Sequence, residues 1–412
     1  MTFARTVARL PVFYGWVIVG CMFLLLWTAH GLTLAGIPVF DELILEELSL
    51  SRGTLKFRDF ITVMCAGLSG PLVGYFADRY GARPVIFAGL LFLSAALFFY
   101  STISSPTHIY LIHVLMGLCV SATNIVVVVV LLSNWFVTRR GIALGLALAG
   151  TSLGSAFLPQ LSAWLIGQMH WRDAVQVLGC LPIVLIPVLY LLVRERPSDL
   201  SVQPLGGEAA PGTDPAGSHD IDMSEVWAQV RTFNFVLLGV IAALIFYAAN
   251  AFIQHTFLYL RDQGFEPGAA ATGFTVIFIS GLVGKIASGF LVENWGVKPI
   301  WIGFQAFILV GALVMIFQGA EGAWIGLSCI GFGWGGAYAL TQLTISNTFP
   351  PRALGRLMGL FVIIEAVGAG SGSWLTGVLF DSQGSYDLAF LLTVGFMVVT
   401  IIGTRFLRAR SP

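Results

Sequence analysis

GYFADRYGAR (74–83) and GFLVENWGVK (289–298) are two versions of one ten-residue turn. Gly74, Asp78, Gly81 and Arg83 fall on Gly289, Glu293, Gly296 and Lys298 at a constant offset of 215. A second register agrees with the first: Gly141, Gly145 and Gly154 fall on Gly355, Gly359 and Gly368 at an offset of 214. Two independent sets at nearly one spacing indicate a duplicated chain.

Long apolar runs flank both turns, and the composition says what solvent they meet. Of 412 residues, 57% are hydrophobic and 10% charged, where a soluble domain carries about 25% charged. So few charges do not cover a water-facing surface of this size, and the chain reads as a membrane protein. Lys plus Arg and Asp plus Glu are both 21, so the basic excess that a nucleic-acid partner requires is missing. The 47 glycines and 17 prolines fit as well, since both are commoner in membrane helices than in soluble ones.

A helix needs about 20 apolar residues to cross the hydrocarbon core. On that basis spans are expected at 14–38, 54–77, 84–103, 107–132, 141–165 and 173–193, and again at 233–259, 268–292, 299–318, 322–347, 355–380 and 386–406. The first run extends from Val12 to about Phe40, too long for a signal-peptide core, and is expected to be a retained helix. Between the sets, the stretch from Arg194 to Gln229 is rich in Pro, Gly and acidic residues and reads as a flexible linker. The expectation is an all-α membrane protein with twelve transmembrane helices in two pseudo-symmetric six-helix bundles, divided as 1–193, a cytoplasmic linker 194–231, and 232–412.

Orientation follows from the basic residues. Fifteen fall in one set of loops, among them Arg79, Arg83, Arg139, Arg140 and Lys298, and five in the other: Arg52, Lys56, Arg58, Arg172 and Arg261. The positive-inside rule then puts both termini in the cytoplasm. The same rule makes Lys56, Arg58 and Asp59, at the start of the second span, an interfacial cluster.

Gly-x-x-x-Asp-Arg-x-Gly-x-Arg after the second span, with a degenerate copy after the eighth, resembles the signature of the major facilitator superfamily, and the resemblance covers nearly the whole chain. It implies the major facilitator fold and secondary transport by alternating access. It also implies that Gly74, Asp78, Arg79, Gly81 and Arg83, with Arg139, Arg140, Glu293 and Lys298, gate the cytoplasmic side by contacts that break on opening. Tyr14-Gly15-Trp16 and the run Trp135-Phe136-x-x-Arg139-Arg140-Gly141, continuing through Gly145 and Gly150 to Gly154, are similar to helix 1 and helix 5 signatures of the monocarboxylate porter and oxalate–formate antiporter branch. The glycine stripes also let the fifth helix approach a neighbour closely.

An ionisable residue deep in a bilayer costs about 2.5–3.5 kcal/mol, so it is a functional candidate. Lys285, in GLVGKIASG, and Glu365, in FVIIEAVGAG, lie at depths of about 11 and 15 Å from the same side. Lys285 fits the position where the resembled transporters carry a cation, usually Arg, that meets the substrate carboxylate. An ionised Glu365 beside it would neutralise that site. Burial favours the protonated carboxyl, which would leave Lys285 free. Lys285 is therefore expected to anchor a carboxylate and Glu365 to be its proton-responsive partner, with a static ion pair as the competing reading.

His30, Asn124, Asn250 and His255 interrupt other apolar runs and are candidates for the substrate pathway; His30 is a rival proton-coupling group. His113 replaces an Arg that many superfamily members carry on helix 4. Tyr247, Trp334, Tyr338 and Phe361 are candidates for an apolar wall. The five cysteines lie in apolar segments without metal or redox spacing, so neither metal nor cofactor is expected. No GxxxxGK[ST] loop, HExxH or GxSxG elbow is present, which argues against an enzyme or an ATP-driven pump. The expected activity is transport of small monocarboxylates or related organic anions across the inner membrane, with a proton or counter-anion, by a monomer in the lipid bilayer. An exporter of drug-like or zwitterionic compounds and a non-transporting receptor are the alternatives.

Overall fold

The computed structural model describes residues 13–123, 125–207 and 223–407. Its backbone is helical almost throughout, as it must be where no water is available to satisfy N–H and C=O groups. The first six long helices are α1 (Gly15–Glu47), α2 (Arg52–Tyr80), α3 (Ala82–Tyr100), α4 (in two pieces, Pro106–Ala122 and Ile125–Trp135), α5 (Arg140–Ile166) and α6 (Trp171–Leu192). The next are α7 (Phe233–Ile253) and α8 (Pro267–Trp295), then Val297–Thr348, which is two helices, α9 and α10, joined at Gly319. The set closes with α11 (Pro351–Gln383) and α12 (Asp387–Phe406). At Gly319, φ is 53° and ψ −127°, a break that splits one continuous apolar stretch into two spans. The chain is a multi-pass membrane protein of two six-helix bundles.

Local chemistry sets the helix ends. Ser51 and Thr232 cap α2 and α7 by accepting from Thr54 N and Phe235 N, each at 3.2 Å. Pro106, Pro267 and Pro351 occupy first turns, where a missing N–H costs nothing. Gly81 and Gly296, equivalent by the 215 offset, have φ of 90° and 76°. Both turns need the left-handed backbone that glycine adopts freely.

The duplication is also visible in packing. A Cβ on Gly154 of α5 would collide with the Trp27 carbonyl of α1, and a Cβ on its counterpart Gly368 of α11 would collide with the Ala243 carbonyl of α7. Each bundle thus presses its fifth helix onto its first through a small residue. Between bundles, α2 packs on α11 and α5 on α8.

These two inter-bundle seams taper. Along α2, a Cβ on Gly53 would stand 2.8 Å from Val378, and Phe60 fills the place a Cβ on Gly370 would need, at 2.6 Å. One step further, a Cβ on Gly67 would be 3.5 Å from Ala366, and a Cβ on Gly74 would meet nothing within 4 Å. On the other seam, Gln160 donates to Thr272 at 3.1 Å and Thr275 to the Ala156 carbonyl at 2.6 Å. Gly141, Gly145 and Gly289 again face nothing. The bundles meet at the Arg52 end and part at the end carrying the repeated turns, the motif end.

Two expectations are corrected. The first span does not stop at residue 38. It continues through a π-turn at Gly31–Gly36 and a tight turn at Ile37–Phe40 to Glu47, because neighbouring packing holds a polar final turn in place. The stretch 194–207 is not a free linker. Leu200, Val202 and Leu205 pack against the first bundle, and Trp135 Nε1 donates to the Arg194 carbonyl at 3.0 Å.

Candidate functional site

A cavity of about 270 Å³ lies between the bundles, walled by α1, α2, α5, α7, α8, α10 and α11. Of the residues singled out in the sequence, His30, Asn250, Lys285, Trp334 and Tyr338 line it. Lys285 Nζ donates to Ser152 Oγ of α5 at 3.2 Å and stands 5.7 Å from the centroid of the Tyr338 ring. No carboxylate among the described residues pairs with it. The cation therefore enters the cavity with a hydroxyl and an aromatic face as partners.

Glu365 is buried, lies outside the cavity lining, and does not pair with Lys285. Its Oε1 accepts from Gln342 Nε2 at 2.8 Å. Gln342 sits one turn from Tyr338 on α10, so the two side chains share a face. The two ionisable residues thus contact positions one helical turn apart on α10, Lys285 at Tyr338 and Glu365 at Gln342.

The remaining candidates are dispersed. Tyr247 packs on Phe396 at 4.9 Å and Phe361 on Phe235 at 5.0 Å, both inside the second bundle. His255 bridges the Tyr386 hydroxyl at 3.1 Å and the Ser373 carbonyl at 2.8 Å. Asn124 lies outside the described residues.

At the motif end, Arg79 donates to Tyr75 at 2.8 Å within its own helix. Arg83 is held by Glu195 through its backbone N at 2.7 Å and by the Tyr190 carbonyl at 3.0 Å. Lys298 donates to the Leu407 carbonyl. The side chain of Asp78 lies outside the described ones. Arg139 adopts a positive φ of 59°, and the side chains of Arg139, Arg140 and Glu293 are exposed. Among the described residues, no hydrogen bond or ion pair joins these gate residues to the opposite bundle.

The Arg52 end is the reverse. Arg52 forms a forked pair with Asp262 at 2.6 and 2.7 Å and donates to Tyr386 at 2.6 Å, while Asp381 takes the backbone N–H groups of Arg52 and Gly53. Arg261 pairs with Glu42 at 2.7 Å. Both pairs join the two bundles.

Beneath them lies a cluster that sequence reading misplaced. Lys56 and Arg58 are fully buried rather than interfacial. Both pair with buried Asp41 of α1, Lys56 at 2.6 Å, and both also contact Asp59. Arg58 donates to Tyr100 at 2.6 Å, and Thr62 meets His113 Nδ1 at 2.7 Å. The cluster reaches across the seam: Lys56 donates to the Gln254 carbonyl, and Ser373 donates to Asp59 at 2.6 Å. The signal that could have revealed it is KFRD (56–59) one turn inside an apolar helix, with Asp41 fifteen residues upstream. The assumed end of the first helix at residue 38 hid their proximity.

The comparisons with known proteins agree with this geometry. A family model described as Major Facilitator Superfamily matches residues 16–373. Monocarboxylate transporter 13 of Bos taurus is 28% identical over 332 residues, covering 80% of this chain and 74% of the relative. A gallate transporter of Pseudomonas putida is 25% identical over 413 residues, covering 92% and 88%. Among solved structures, the nucleoside transporter NupG (D323A mutant) aligns with a TM-score of 0.77 at 12% identity, covering 95% of this chain and 99% of that one. A bacterial homolog of the human lysosomal transporter Spinster aligns with a TM-score of 0.75 at 17% identity, covering 98% and 99%.

Proposed function

This chain belongs to the Major Facilitator Superfamily and is a transporter rather than an enzyme, and from that premise we propose that it carries small monocarboxylates across the inner membrane by alternating access. The observation that carries the reading is Lys285, a cation in the cavity wall with no carboxylate partner among the described residues. An unpaired charge removed from water is costly, and a substrate carboxylate is the partner that offsets that cost. The relatives whose names specify monocarboxylates or gallate support the anion class.

The basic-residue asymmetry supports placing the motif end and both termini in the cytoplasm. The protein then stands open inward, its outer side closed by Arg52, Arg261 and the buried cluster. Glu365 is the proposed proton-responsive group. It acts through Gln342 and Tyr338 rather than by pairing with Lys285, and His30 in the cavity wall is the rival. The turn residues Asp78, Arg79, Arg83, Glu293 and Lys298 act as gates when the motif end closes. The division 1–193, 194–231 and 232–412 gives the moving units, with 194–207 travelling with the first bundle on which it packs. The transporter works as a monomer in the bilayer.

Counterflow in proteoliposomes tests the reading. External carboxylate should drive uptake of labelled carboxylate, and Lys285→Met should abolish it while Lys285→Arg retains it. Absence of counterflow with every organic acid would favour a receptor. The drug-exporter alternative instead expects counterflow with drug-like compounds and none with carboxylates.

A further inference from the structure

The cavity is uneven in its chemistry. Beside Lys285, the rings of Phe246, Trp334 and Tyr338 form a continuous aromatic wall, with centroid separations of 5.0, 5.5 and 5.9 Å. The rings stand at 89°, 54° and 57° to one another, and a wall that offers both ring edges and ring faces beside a cation suits an anion with a π-face. At the far end, toward the closed Arg52 side, the lining includes Gln254. Its amide orientation is set by its neighbours. Pro38 has no N–H for the Leu34 carbonyl, and Gln254 Nε2 donates to that carbonyl at 3.4 Å. Oε1 is left without a partner. His30 Nε2, on the wall between, also has none. An amide oxygen only accepts, so the group that satisfies Gln254 must donate.

We propose that this site takes an aromatic carboxylate bearing a hydroxyl opposite its carboxyl group, and that Gln254 is the residue that reads the hydroxyl. The proposal rests on the reading of Lys285 as carboxylate anchor. Gln254 also ties the ligand to the closed side, because its backbone carbonyl accepts from Lys56 of the buried cluster.

Equilibrium binding of 4-hydroxybenzoate, 4-methylbenzoate, benzoate and propionate to the purified full chain tests it. The hydroxyl compound should bind about tenfold more tightly than its methyl isostere, and propionate should be weakest. Gln254→Met should remove the difference between the hydroxyl and methyl compounds. Equal binding of those two by the unmodified protein overturns the proposal, as does a preference that survives in Gln254→Met. The ligand series on the unmodified protein decides by itself if that variant does not fold. If benzoate binding needs Lys285 while the hydroxyl adds nothing, only the present inference falls. If Lys285→Met binds benzoate as well as the unmodified protein, or no carboxylate binds, the anchor reading falls with it.

Discussion

Lys285 of α8 donates to Ser152 of α5 across the boundary between the bundles. The cation of the cavity is therefore shared between the two bodies that alternating access would move. A ligand that takes Lys285 away from Ser152 changes a bond that spans the seam, which gives binding a direct grip on conformation.

Lys285→Met is expected to weaken carboxylate binding by about 10- to 100-fold, the range of a lost charged hydrogen bond. Thermal stability without ligand should hold or rise, since replacing a buried charge by an apolar chain is often stabilising. Binding assays and melting curves on the same preparation check both halves.

Glu365→Gln keeps a hydrogen-bonding side chain beside Gln342 and removes the ionisable proton. If Glu365 couples transport to protons, uptake by the unmodified protein falls as pH rises, and uptake by the variant stays near its low-pH level from about pH 5 to 8. Uptake that remains equally pH-dependent in the variant assigns coupling elsewhere, with His30 the next residue to replace.

Asp41→Asn should be severely destabilising, by about 3–5 kcal/mol, because it leaves two buried cations, Lys56 and Arg58, to share the single carboxylate of Asp59. Arg261→Gln breaks a half-exposed pair with Glu42 and should cost under about 1 kcal/mol. Unfolding of both variants in one detergent measures the contrast; similar losses would mean that the inner cluster is not the stabilising part of the seam.

Gly154→Leu and Gly74→Leu separate folding from gating. The first drives a side chain into the Trp27 carbonyl and should lower stability by about 1–3 kcal/mol or more. The second meets open space and should leave the melting temperature unchanged. It should nonetheless stop transport, because Gly74 needs room when the motif end closes. Normal transport by Gly74→Leu would remove this glycine from the gate.

The duplicated turns made most of this architecture legible. Gly81 and Gly296 share a backbone conformation because their equivalence is chemical, and Gly154 and Gly368 share a packing role for the same reason. Lys285 stands out in the sequence because a cation in an apolar run has few innocent explanations, and the structure places it in the cavity wall. The burial of Lys56, Arg58 and Asp41 was not legible, since it depends on α1 continuing past Pro38 and on α7 and α11 lying over α2. Gln254 escaped notice too. A neutral amide near a helix end is unremarkable until its partner carbonyl and its unpaired oxygen are both seen. The separation of Lys285 from Glu365 depends on Gln342, whose role lies in its facing rather than in its type.

The taper of α2 against α11 makes each helix a lever. Contact is tight from Gly53 to Phe60, ordinary at Gly67 and absent by Gly74, so the pivot lies near Gly67, and about 20 Å of α2 extends beyond it to Tyr80. Val63 of the cavity wall lies four residues from that pivot, about 6 Å along the helix axis. A displacement there too small to alter a hydrogen bond is multiplied at the tip. If the bundles rock as proposed, a substrate that nudges the fulcrum would swing the far end shut.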